Sequence, residues 1–243
     1  MKSSEISTIP FPLYHGTTSY FLSEILTYGL GGKNIAFEWE IIEFFQKVYD
    51  ALDKVKDPDF RKVFVSNKSM FDRILGSTHN PTGYNWRYGS VYLAVDFKHA
   101  ARFSLRGLGS EIARLAQGWY SDLVSFEPNV AAELIKRFPK ISDIFSFDHK
   151  PVVIQIIDLR LNEVATEGGL IGDELEKQVE YCIELSKSFD DSRDAIFSIS
   201  FEYIGAPLTK NRLHLFNVKT TQNSNAFSFT DISLTPIKSH KDN

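Results

Sequence analysis

One run constrains this chain more than any other: Val152-Val153-Ile154-Gln155-Ile156-Ile157, in which five of six residues are β-branched and apolar. Side chains of a strand alternate between its two faces, so a strand with this composition is apolar on both and needs cover on both. The sheet that contains it must lie between other layers. Further strands are expected at 11–15, Val91–Val95, Ala195–Ile204, Arg212–Val218 and Phe227–Leu234. Helical spacing appears at 20–26, 35–52, 97–104 and 171–187, and again over 110–137 with a break near Phe126-Glu127-Pro128. Ile41, Ile42, Phe44, Phe45 and Val48 supply the buried face of the second helix. Strands at both ends of the chain with helices between them predict an α+β domain rather than a regularly alternating α/β sheet.

Local signals mark several boundaries. Thr17 or Thr18 can cap the first helix and Gly29 can stop it, while Asp96 can cap the helix after Val91–Val95. Residues 76–90 gather turn formers and read as an exposed loop. With 243 residues, no repeat and no low-complexity linker, the chain reads as one domain over 1–243. Hydrophobic residues at 43% and charged residues at 24% exclude a disordered or rod-like chain. The 20 Phe, 10 Tyr and 3 Trp can fill a core or stack on a planar ligand, and composition does not separate these uses. Cys182, the sole cysteine, forms no intramolecular disulfide or Cys-x-x-Cys zinc site, so a reducing compartment and no metal are expected. The amino terminus lacks the apolar core of a secretory signal and no segment nears the ~20 apolar residues of a membrane span, so the expectation is a cytoplasmic protein without a membrane partner. A net charge of −4 argues against a globally basic duplex-DNA binder and leaves room for a local basic groove.

Three polar positions on strands can carry chemistry. Alternation along Ile196–Tyr203 puts Phe197, Ile199, Phe201 and Tyr203 on one face and Ser198, Ser200 and Glu202 on the other, which leaves an acid held rigidly on a small polar face. The bland alternative is an exposed strand edge or a salt bridge. In Ser90–Val95 the same parity sets Tyr92 between the small residues Ser90 and Ala94, a ring either beside open space or packed under a helix. His15 ends the first strand and precedes Gly16, whose backbone a ligand could approach closely. A lone histidine there is more often structural.

Taken in order, these segments resemble a family. Leu13-Tyr14-His15-Gly16-Thr17 with Ile25-Leu26-x-x-Gly29-Leu30, Gly89-Ser90-Val91-Tyr92-Leu93 with Ala100-Ala101-Arg102-Phe103, and Phe201-Glu202-Tyr203-Ile204 are similar to the His-Tyr-Glu signature of ADP-ribosyltransferases of the diphtheria-toxin and poly(ADP-ribose) polymerase class. The resemblance implies a mixed or antiparallel split β-sheet core with inserted helices, and NAD as co-substrate. It implies that His15 binds the adenosine ribose and that the Gly16 backbone holds the nicotinamide carboxamide. Thr17 closes that NAD-contacting segment. Tyr92 and Phe103 would sandwich the nicotinamide, with Phe103 where tyrosine is usual, and Glu202 would bind the nicotinamide-ribose 2′-hydroxyl. His15, Tyr92 and Glu202 would then be the catalytic set. Ala100 stands where many members carry a serine that contacts the amide, and 106–150 is an inserted helical segment without a counterpart.

The implied activity is mono-ADP-ribosylation of a macromolecular acceptor, protein or nucleic acid. A bacterial or phage-related toxin or effector, with a cognate antitoxin or inhibitor as partner, fits the family's habits. Tyr84, Trp86, Arg87, Arg102 and Arg106 are the acceptor-side candidates, because rings stack on bases and arginines meet phosphates. Three other readings stay open: an NAD-dependent RNA 2′-phosphotransferase-like enzyme, an NAD glycohydrolase, and an inactive ADP-ribose-binding module.

Overall fold

A computed structural model describes residues 7–34, 38–74, 90–187, 199–220 and 232–237. Its strands are β1 (Leu13–Thr18), β2 (Val91–Ala94), β3 (Pro151–Ile156), β4 (Val164–Thr166), β5 (Ser200–Tyr203), β6 (Leu213–Thr220) and β7 (Ile232–Pro236). They form one seven-stranded sheet in the order β4-β5-β2-β1-β3-β6-β7, and every pairing is antiparallel. The described helices are α1 (Leu22–Tyr28), α2 (Ile41–Leu52), α3 (Pro58–Ile74), α4 (Phe97–Leu105), α5 (Glu111–Phe126), α6 (Pro128–Lys136), α7 (Pro139–Ser146) and α8 (Asp173–Lys187). The architecture is α+β, as expected. Among the described residues no helix is long and apolar enough to cross a membrane.

Two compact units emerge. One comprises Met1–Lys33, Ser90–Gly109 and His149–Asn243, and holds the sheet with α1, α4 and α8. In it β3 lies between β1 and β6, and both its faces are covered, as its composition demands. Val152, Ile154 and Ile156 join Leu13, Leu93 and Phe201 in a core that takes in Leu175, Val179 and Cys182 of α8. Val153 on the opposite face packs with Ala94, Val218 and with Ala100 and Ala101 of α4. Each buried Val or Ile contributes about 1.5–3 kcal/mol of transfer free energy.

The other unit comprises Asn34–Gly89 and Ser110–Asp148 and is helical where described. The stretch expected as an insertion at 106–150 supplies α5, α6 and α7 to it, and 34–89 supplies α2 and α3. Ile41, Phe44, Phe45, Val48 and Leu52 form the buried stripe of α2, which starts at Ile41; residues 35–37 of the expected helix lie outside the described residues. Glu40 before it has a left-handed backbone, φ 58°, which a continuing helix could not accommodate. Phe44 meets the rings of Tyr120, Phe138 and Phe145 at 5.6, 5.3 and 5.8 Å. Much of the aromatic content is thus core. Pro128 and Pro139 sit at the first turns of α6 and α7, where a missing N–H costs nothing.

Some expected boundaries change. Neither Thr17 nor Thr18 caps α1 with its side chain: both lie in β1, and the Thr18 hydroxyl pairs with His149 Nδ1 at 2.9 Å. Gly29 does end α1, at φ 86°. The loop at 76–90 apart from Ser90, the start of the 195–204 strand and the 227–231 part of the last one lie outside the described residues.

Candidate active site

The sheet is parted at one place. Strand β1 pairs with β3 over six residue pairs, but with β2 only through Tyr14 and Ala94. Past that pair the two strands diverge, leaving His15-Gly16 on one lip of the split and Tyr92 on the other. His15 spans it: its Nδ1–H donates to the Tyr92 carbonyl at 3.0 Å. Burial holds the pKa of this imidazole below 6.5, against the opposing effect of the same hydrogen bond. The ring is therefore neutral at pH 7, with its proton on Nδ1, and Nε2 is left as a hydrogen-bond acceptor suited to a hydroxyl.

Tyr92 lies directly opposite Glu202 in the β2–β5 ladder. Ser90, two residues from Tyr92 and on the same side, donates its hydroxyl hydrogen bond to Glu202 Oε1. This fixes the rotation of the carboxylate. Its other oxygen, Oε2, lies 3.9 Å from where a Cβ on Gly169 would sit, so the β4–α8 loop runs close beside the acid. Glu202 itself is half-buried.

Helix α4 forms the adjoining wall. Asp96 caps it, accepting from Lys98 N–H at 2.6 Å, as the sequence predicts. A Cβ on Gly16 would fall 1.9 Å from the Ala100 carbonyl oxygen and 3.2 Å from Phe103 Cβ. The bare backbone of Gly16 thus makes room for α4, whereas the sequence reading assigned that room to a ligand. Phe103 leaves the helix right above Gly16 and is 47% exposed. Strand parity places Gly16, Tyr92 and Glu202 on the same sheet face, with Phe103 over Gly16. Thr17 is 2% exposed on the opposite face, and the same parity gives that face to His15, which reaches the split through its ring's hydrogen bond to the Tyr92 carbonyl. Ala100 offers no hydroxyl, and the nearby Ser104 hydroxyl donates to the Ala101 carbonyl at 2.7 Å, so α4 does not replace the serine contact noted above.

Of the acceptor-side candidates, Arg102 is half-buried on α4 and Arg106, just past its end, is exposed. Both act on His99, whose pKa is lowered first by burial, then by these two cations, against Asp96 and Glu167. The His99 and Phe103 rings are 5.2 Å apart. Tyr84, Trp86 and Arg87 lie outside the described residues.

No family model, curated protein or solved structure matches this chain. The functional reading stands on the residues.

Sequence reasoning did not single out three neighbours of these residues: Ser90 as the hydroxyl that orients Glu202, His99 beside Phe103, and Glu167, which accepts from Ser200 Oγ at 2.7 Å. For Ser90 the parity with Tyr92 was a usable signal. Glu167 is marked only by the glycines that follow it, Gly168, Gly169 and Gly172, and reaches Ser200 through a register no local pattern encodes.

Proposed function

We propose that this protein cleaves NAD and transfers one ADP-ribose unit to a macromolecular acceptor. The observation that carries the reading is the opposed pair Tyr92 and Glu202 at the split, with neutral His15 hydrogen-bonded across it. NAD brings a glycosidic bond whose nicotinamide departs as a neutral molecule. Tyr92 and Phe103 offer two rings to hold that planar group, and holding it in line for departure is itself catalytic. As the bond breaks, positive charge grows on the ribose, and the Glu202 carboxylate stabilises it. A preoriented group of this kind is worth roughly 10²–10³ in rate. Ser90 keeps the carboxylate turned and ready, so little reorganisation is needed during the reaction. His15 Nε2 accepts a hydrogen bond from a ribose hydroxyl, and Arg102 and Arg106 meet phosphates of NAD or of the acceptor.

Purified protein incubated with adenylate-labelled NAD and a cell extract tests this. Label should move to macromolecules, and separate nuclease and protease digestions identify their class. Glu202→Gln should abolish it. Labelling equal in wild type and Glu202→Gln contradicts the proposal.

A further inference from the structure

Two carboxylates share one sheet face on the β2 side of the split, each braced by a serine from the neighbouring strand. Ser90 at the start of β2 donates to Glu202, and Ser200 on β5 donates to Glu167 Oε2 at 2.7 Å. Thr166 pairs with Phe201 and Ala165 with Glu202, so Glu167 continues the ladder opposite Ser200. Ser200 and Glu202 are two residues apart on one strand, which makes Glu167 a diagonal cross-strand neighbour of Glu202, with backbones about 7–8 Å apart. The segment bearing Glu167 is itself fixed. Thr166 N–H donates to the Leu170 carbonyl at 2.9 Å, Gly169 N–H to the Thr166 carbonyl at 2.8 Å, and Leu170 N–H to the Thr166 hydroxyl at 3.0 Å. It then returns past Glu202 at Gly169. His99 of α4 lies near enough to feel the Glu167 charge.

One acid suffices to stabilise charge on a ribose. A second, one diagonal step away on the same face, leaves room between the two for a nucleophile, as the wider carboxyl spacing of inverting glycoside hydrolases leaves room for the water that one of them activates. We propose that Glu167 is the base that deprotonates the incoming acceptor. This rests on the proposed transferase reading. The acceptor O–H or N–H proton passes to the Glu167 carboxylate, and the acceptor's electron pair forms the new bond to ribose C1′. The C1′–N bond breaks with its pair leaving on nicotinamide. The acceptor class that needs such help is a neutral hydroxyl or amide nucleophile, which is poorly reactive while protonated. Glu202 is thereby released from the double duty of stabilising the sugar and activating the acceptor.

Nucleophile rescue in the purified protein tests the assignment, with water as the neutral acceptor and azide as an anionic one that needs no base. Nicotinamide release and ADP-ribosyl azide formation are measured for wild type, Glu167→Gln and Glu202→Gln, with NAD binding measured for each. The expectation is that Glu167→Gln binds NAD as wild type does, releases nicotinamide at least about 100-fold more slowly in water, and recovers with azide. Glu202→Gln should not recover. Wild-type rates for Glu167→Gln in water, or slow release that azide does not restore, overturn the role of Glu167 while leaving the transferase reading intact. Wild type that releases no nicotinamide with either nucleophile overturns that reading and this one with it.

Discussion

Gly16→Ala tests the contact that closes the split against α4. The new Cβ would stand 1.9 Å from the Ala100 carbonyl oxygen and 2.8 Å from its carbon. Reaching an ordinary contact near 3.4 Å requires β1 and α4 to part by about 1.5 Å. The obstructing atoms are backbone in the middle of a helix, with Ala100 and Ala101 themselves buried, so no side chain can swing aside. Overpacking ordinarily costs 1–3 kcal/mol, and a clash that only whole elements can relieve belongs at the top, about 3 kcal/mol. For a chain of this size each kcal/mol moves Tm by roughly 2–4 °C, so the melting temperature should fall by about 6–12 °C. Thermal unfolding followed by circular dichroism reads this. Gly118→Ala is the control: a Cβ there meets nothing within 4 Å on the exposed side of α5. Alanine's helix propensity should make that variant about 0.5–1 kcal/mol more stable. A Gly16→Ala protein melting within about 1 °C of wild type refutes the argument, because the helix would then not rest on that glycine.

Three further outcomes follow from the same structure. Arg212 binds both oxygens of Glu163, at 2.7 and 2.9 Å, and the Asp158 carbonyl at 2.7 Å; Arg212→Met should cost about 2 kcal/mol by urea unfolding, between the values of exposed and fully buried pairs. The Arg212 hydrogen bond holds the Glu163 carboxyl below its ordinary 4.5, so the stability it contributes is complete above pH 4.5 and fades as pH falls through the folded value, a fade the variant should lack. His15 is shifted the same way for the opposite reason, disfavoured as a cation by burial, so stability should fall as pH drops below 6.5 toward the folded pKa; His15→Gln should flatten that part of the urea-stability profile. Cys182 is buried and its thiol is pushed up to about 11, so native protein should resist a thiol reagent at pH 8 and react fully once unfolded, and rapid native labelling would contradict the packing of α8 on the sheet.

What could be read from the chain was whatever local periodicity encodes. The apolar run at 152–157 gave the central strand its two-sided burial, the alternation at 200–203 set Glu202 on the face away from Phe201, and Asp96 announced α4. Helix α3 is not anticipated by the apolar pattern because its long polar stretches dilute it. Its start was nevertheless marked: Asp57 Oδ1 accepts from Asp59 and Phe60 N–H at 3.1 and 2.8 Å, with Pro58 at the first turn. The candidate site was legible one residue at a time for His15, Tyr92 and Glu202. Their mutual placement was not, since the single Tyr14–Ala94 pair that parts β1 from β2 is a property of register. Glu167 was invisible for the same reason. Thr17, which the resemblance sets beside NAD, is buried on the other side of β1 from Gly16, because successive residues of a strand point to opposite faces.

The central claim is that Glu202, opposed to Tyr92 at the split, drives cleavage of the nicotinamide–ribose bond. Release of nicotinamide from NAD by the purified protein measures it directly. Wild type should release nicotinamide, and Glu202→Gln, which keeps the shape and the Ser90 contact while removing the charge, should slow release by about 10²–10³ at unchanged Tm. Equal release by the two proteins, or none by wild type, contradicts the account.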